Sequence, residues 1–230
     1  MFGLFTAIES FISSVVSVVG PVIARTTDIL LNKLPPAIEA AKIIINIISD
    51  VVSTICDILD ISSAEEKCEE IGAKIMQEDT RVKWPEESTE EYLNYLRNDV
   101  EFDQEKFDNM TNEEKLACKT LGATMKSNCI EEKFGIEISS EFLMTIAKVN
   151  MNADKVLELV KCFAKYDMES MDGFVNYLTN NMSEDDAIEV DTIVKSALKA
   201  NDAIMTNEEI ENEILNMKKD IFINNINYSC

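Results

Sequence analysis

Histidine is absent from this 230-residue chain. That absence removes Ser-His-Asp and Cys-His nucleophilic catalysis, His-bearing zinc sites and the usual titration near neutral pH. Glycine and proline are scarce, at 6 and 4 residues, and no Gly-rich phosphate loop is present. No Cys-x-x-Cys pair occurs among Cys56, Cys68, Cys118, Cys129, Cys162 and Cys230, so thioredoxin-like and zinc-ribbon chemistry is excluded. In a chain of this length such cysteines are expected as mostly buried, reduced thiols. Basic residues are few, 21 against 43 acids, for a formal charge of -22. A surface of that sign repels phosphate backbones, so no nucleic-acid partner is expected.

The acidity is uneven. Residues 1–61 hold three basic and six acidic residues, and the remaining charge of -19 falls on residues 62–230. Between Met1 and Ala24 the only formal charge is Glu9. No Lys or Arg precedes this apolar run, which is not the pattern of a signal peptide. On a helix, Glu9, Ser13 and Ser17 fall on one narrow polar stripe, opposite Phe2, Phe5, Phe11, Ile12, Val15, Val16 and Val19. A second segment repeats the design. Lys42, Asn46 and Ser53 form its stripe, while Ile43, Ile44, Ile47, Ile48, Val51 and Ile55 cover the rest. Leu34-Pro35-Pro36 separates the two. An antiparallel helical hairpin is therefore expected over residues 1–61.

Helix signals continue through residues 62–230. Candidate N-caps precede acidic first turns at Ser63, Ser88, Thr111, Ser183 and Thr206, with Ser63 and Ser88 at capping-box spacing from Glu66 and Glu91. Ser139 or Ser140 is expected to start a helix through Lys148, and Asn152 another over 153–165. No run alternates apolar and polar over six residues. The fold class expected is all-α, about eight helices, with an N-terminal apolar helical hairpin followed by an acidic multi-helix domain over 62–230. The stretch 78–87 around Trp84-Pro85 reads as an irregular linker.

Two weak internal similarities stand out. Cys68-Glu-Glu-Ile-Gly-Ala resembles Cys118-Lys-Thr-Leu-Gly-Ala, and 87–98 resembles 169–180. The two pairs have different offsets, so no solenoid period links them.

No catalytic, cofactor or metal residues are expected. The many Glu and Asp pairs sit where helix starts favour negative charge, and nothing selects two of them as an acid-base pair. Asn150-Met-Asn-Ala-Asp154 begins like a calcium loop but has Lys155 where the loop needs Gly and Lys161 where it needs Glu. A non-enzymatic protein is expected. Its hairpin would insert in a membrane as anchor or pore, with the acidic part as a head for protein contacts. The alternative is a structural subunit of a large assembly, such as a virion, an injection apparatus or an organellar complex, with the hairpin packed on other subunits. The expected partners are membrane lipid or other protein subunits in an oligomer, and the location is a membrane or a large assembly. A third option is that the apolar helices form the core of an ordinary helical domain.

Overall fold

The computed structural model describes residues 20–62, 66–77, 80, 83 and 86–227, with side chains to residue 223. The described residues form eleven α-helices. The only strand-like pairing among them is an isolated bridge between Glu137 and Ser170. They divide into two compact units, the first ending at Glu132 and the second beginning at Lys133.

The first unit opens with α1 (Gly20–Asp28), continued by one π-helical stretch, Ile29–Lys33. Leu34 is extended, as the residue before a proline must be, and the helix ends there. α2 (Ile38–Ile58) follows, then α3 (Cys68–Ile75), α4 (Thr89–Asn98), the short α5 (Gln104–Asp108) and α6 (Asn112–Phe134). Thr80 and Lys83, between α3 and α4, are not helical.

α2 corrects the membrane reading. Ala41, Ile44, Ile45, Ile48, Val52, Ile55 and Cys56 are buried, and Asn46, Asp50, Thr54 and Asp57 face solvent. Lys42 pairs with Glu39 at 3.1 Å on the outside. No described helix is long and apolar enough to cross a membrane. The second segment of the expected hairpin is thus an ordinary amphipathic core helix. Most of its apolar side is covered within its own chain. The first segment, with Phe2, Phe5, Glu9, Phe11, Ile12, Ser13, Val15, Val16, Ser17 and Val19, lies outside the described residues. The boundary expected at residue 61 turned on that segment.

α6, not the apolar segment, is the central helix of the unit. From Leu116 to Ile130 every residue but Lys119 is buried, including Thr120, Thr124, Lys126, Ser127 and Asn128. A helix enclosed on all sides needs partners for its polar groups. Thr124 Oγ1 lies 2.6 Å from Thr26 Oγ1, and Arg25 donates to Ser127 Oγ at 3.1 Å. Asn128 donates to Thr89 Oγ1 at 2.7 Å and to Glu132 at 3.0 Å. Lys126, with no exposed surface, donates to the Glu66 carbonyl at 2.6 Å and to Ser53 Oγ at 3.2 Å.

α3 crosses α6 at two glycines. A Cβ on Gly72 would overlap the backbone carbonyl of Cys118, and a Cβ on Gly122 would overlap that of Cys68. The repeated Cys-x-x-x-Gly-Ala string is therefore the contact itself, each glycine seated on the other helix's cysteine carbonyl. Small residues permit such close backbone approach.

The second unit contains α7 (Ser140–Lys148), α8 (Ala153–Lys165), α9 (Asp172–Leu178), α10 (Glu184–Asn201) and α11 (Asn207–Asn227). Its core gathers Phe142, Ile146, Leu159, Phe163, Phe174, Ile193, Val194 and Ile214. Phe142 and Phe174 meet edge to face, 6.1 Å between centroids.

Start signals read from the sequence are occupied at Ser88, Ser139, Asn152 and Ser183, each side chain accepting the amide three residues on. Thr111 with Glu114 and Thr206 with Glu209 close reciprocal boxes like that of Ser88 with Glu91. Ser63 lies outside the described residues, and α3 starts later, at Cys68.

Candidate functional site

Among the described residues, those marked by the sequence as an inserting face do not converge on a site. Ile44, Ile48, Val51 and Ile55 are core, Ile47 is half-buried, and Ile43 alone is well exposed, at 62%. Of the expected stripe, Lys42 and Asn46 face outward. Ser53 turns inward to Lys126, and its Oγ lies 3.4 Å from Cys68 Sγ.

The candidate site lies instead between α10 and α11. A cleft of about 490 Å³ is lined by Thr192, Lys195, Ser196 and Lys199 from α10 and by Asn207, Ile210 and Glu211 from α11. A second hollow of about 230 Å³ shares Asp191, Lys195 and Glu211 with it and extends to Tyr177, Leu215 and Lys218. The helical period explains both walls. Ile188, Thr192, Lys195 and Lys199 recur at steps of three and four, as do Glu211, Leu215, Lys218 and Phe222. The buried stripe of α11, Ile210–Ile214–Met217–Ile221, runs one position before the latter.

A chain of polar contacts crosses the floor. Tyr177 donates its hydroxyl to Asp191 at 2.5 Å, and Lys195 pairs with Asp191 at 2.9 Å and Glu211 at 3.4 Å. Lys218 sits over the Tyr177 ring, 4.0 Å from its centroid, and donates to Asn180 at 3.1 Å. Burial, and then the Asp191 carboxylate, push the Tyr177 phenol well above its ordinary range. The hydrogen bond to Asp191 raises Lys195, whereas burial lowers Lys218. Hydrogen bonds from the Thr206 amide and hydroxyl hold Glu209 below the usual carboxylate range at the start of α11. In this arrangement Asp191 is engaged by both Tyr177 and Lys195, and the phenol is kept neutral. The floor can fix and orient a bound group; it offers no poised nucleophile.

Leu215, 48% exposed, lines the second hollow. On the same helix pair Ile188 is 68% exposed and Phe222 69%; Ile223 and, in the α10–α11 turn, Ile204 are exposed as well. Elsewhere among the described residues the exposed large apolar side chains are Ile43, Ile58 and Tyr166. Sequence reasoning missed this site because α10 and α11 are acidic at their starts and hold their exposed apolar residues singly. Only the 3.6-residue spacing of Leu215 and Phe222 with Lys218 could have flagged it.

Among the described residues no group of three or more His, Cys, Asp or Glu side chains is placed to hold a metal ion. Comparison with protein-family models, with curated proteins and with solved structures gives no match.

Proposed function

We propose that this is a non-enzymatic, all-α binding protein whose α10–α11 groove takes an amphipathic helix of another protein, apolar on one face and basic on the other. The observation that carries this reading is the concentration of exposed Ile188, Ile204, Leu215, Phe222 and Ile223 on one helix pair. Exposed apolar side chains on the helices that wall a polar groove are what a surface for an amphipathic helix presents. The sign of the partner follows from charge. Residues 184–227 hold eleven acids and four lysines, with Glu184, Asp185 and Asp186 opening α10 and Glu208 and Glu209 opening α11. A basic polar face gains from that field, and an acidic one is repelled.

The test is titration of the full chain with a synthetic Leu/Lys amphipathic peptide of about five helical turns, beside a Leu/Glu peptide of the same pattern. Saturable binding of the basic peptide alone is expected. Replacing Leu215 and Phe222 by Ser should weaken it at least about tenfold, the loss of one apolar anchor or more. Replacing Ile43 by Ser, in the first unit, should leave it unchanged. Equal binding by all three proteins would reduce the effect to general attraction and refute the groove.

A further inference from the structure

The end of α2 carries the wrong charge for a helix terminus. Cations stabilise the negative end of a helix, yet the last turn of this 21-residue helix has no basic residue. Asp57 lies in that turn, and Asp60 follows it in a left-handed conformation, φ 57°. With Glu90 and Asn94 of α4 these carboxylates line a cleft of about 410 Å³. The one basic residue among the described lining residues, Arg97, is already engaged: 2.8 and 3.3 Å to the two Glu66 oxygens and 2.5 Å to Asn94. Among the described residues neither Asp60 nor Glu90 is paired with a cation.

A second, independent observation lies in the wall of the same cleft. Ser62 is only 7% exposed, and its hydroxyl is the one buried side-chain polar atom among the described residues without a hydrogen-bond partner. Buried hydroxyls are almost always satisfied, and an orphan calls for an explanation. An oxygen with free lone pairs in the wall shared with Asp60 and Glu90, at a helix C-terminus, is an acceptor in a cleft suited to a donor.

We propose that this cleft binds a linear organic polycation of the polyamine class, its ammonium groups held by Asp60 and Glu90, with one N–H donated to Ser62 Oγ. An ammonium fits where a bare metal ion does not. No three acidic or thiol side chains among the described residues converge on one point, and the volume accommodates a chain of atoms rather than a single ion. A polyamine relieves in one step the helix-end field, the carboxylate repulsion and the unsatisfied hydroxyl.

The experiment is calorimetric titration of the full chain with spermidine at fixed ionic strength. Saturable binding is expected, weakened about fivefold by Asp60→Asn and again by Glu90→Gln, the upper range for one exposed ion pair. Asn tolerates the left-handed position at 60, so the first variant keeps the fold. Ser62→Ala should also weaken spermidine, while raising the melting temperature of the free protein, because it removes the orphan hydroxyl. Unchanged spermidine affinity in the Asp60→Asn, Glu90→Gln double variant would overturn the proposal and leave only attraction to a highly acidic surface. Displacement of spermidine by equimolar calcium would overturn it in favour of a metal.

Discussion

Asp60, Asn150, Asp167 and Asn180 occupy the position just past the ends of α2, α7, α8 and α9, each with positive φ. Glycine usually fills that position, and this chain has little glycine. At all four ends the following amide bonds back to the carbonyl five residues earlier: Ile61 to Cys56, Met151 to Ile146, Met168 to Phe163 and Asn181 to Asn176. These are Schellman closures made with the two other residue types that enter the left-handed region at modest cost. Asn150→Ala should lower stability by about 1 kcal/mol, and Asn150→Gly should match or exceed the parent. Urea unfolding of the three proteins checks this, and equal stability of all three would remove the role assigned to Asn150. Half of this was legible. Asn152 reads as a cap because its oxygen faces an amide three residues on, but Asn150 carries no pattern of its own beyond being polar. The cysteines also behave by residue. Burial pushes the Cys56 and Cys118 thiols from 9.0 up to about 12, and Cys129 higher still. The folded protein then keeps protons that the unfolded chain loses, so this contribution is complete below pH 9.0 and drains away as pH rises toward about 12. Of the five described cysteines, only half-buried Cys162 should react quickly with a thiol reagent in the native state, as read by peptide mass spectrometry. Rapid labelling of Cys56 or Cys118 would place them elsewhere.

At the scale of elements, the close crossing of α3 and α6 is the tightest constraint. Gly72→Ala and Gly122→Ala each force a methyl into a backbone carbonyl rather than a side chain that could rotate away. Each should cost about 3 kcal/mol, whereas Gly20→Ala, with open space around it, should be neutral or stabilising. Melting curves of the three variants decide the matter. The repeated Cys-x-x-x-Gly-Ala string was visible in the sequence, but its meaning was not, because the two offsets hid that one pair of copies touches. α6 was the larger miss. Its Thr120, Thr124, Lys126 and Asn128 look like a solvent face, yet each finds a partner inside the unit. Lys126→Met should cost about 1–3 kcal/mol despite its apolar length, since the Glu66 carbonyl and Ser53 hydroxyl lose their donor.

At the scale of the molecule, the apolar surface is distributed against first appearance. The most hydrophobic described segment, α2, buries Ile44, Ile45, Ile48 and Ile55 inside the first unit, while acidic α10 and α11 leave Ile188, Leu215, Phe222 and Ile223 in solvent. Periodicity showed that α2 had a wide apolar face, but one chain's periodicity does not distinguish lipid, a neighbouring subunit and the protein's own core as the medium that covers it. α6 meets α2 at Ser53 and Cys56, and its polar sequence does not mark it as a helix that packs inside. The all-α class, by contrast, followed directly from caps, spacing and the lack of alternating runs.

Native-state amide hydrogen exchange on the full chain tests this distribution most directly. The account predicts that amides of α2 from Ile44 to Cys56 and of α6 from Leu116 to Ile130 exchange only through global unfolding of the first unit, at a common free energy. Fast, independent exchange along α2 would contradict it, showing that α6 and its neighbours do not cover the apolar face of α2.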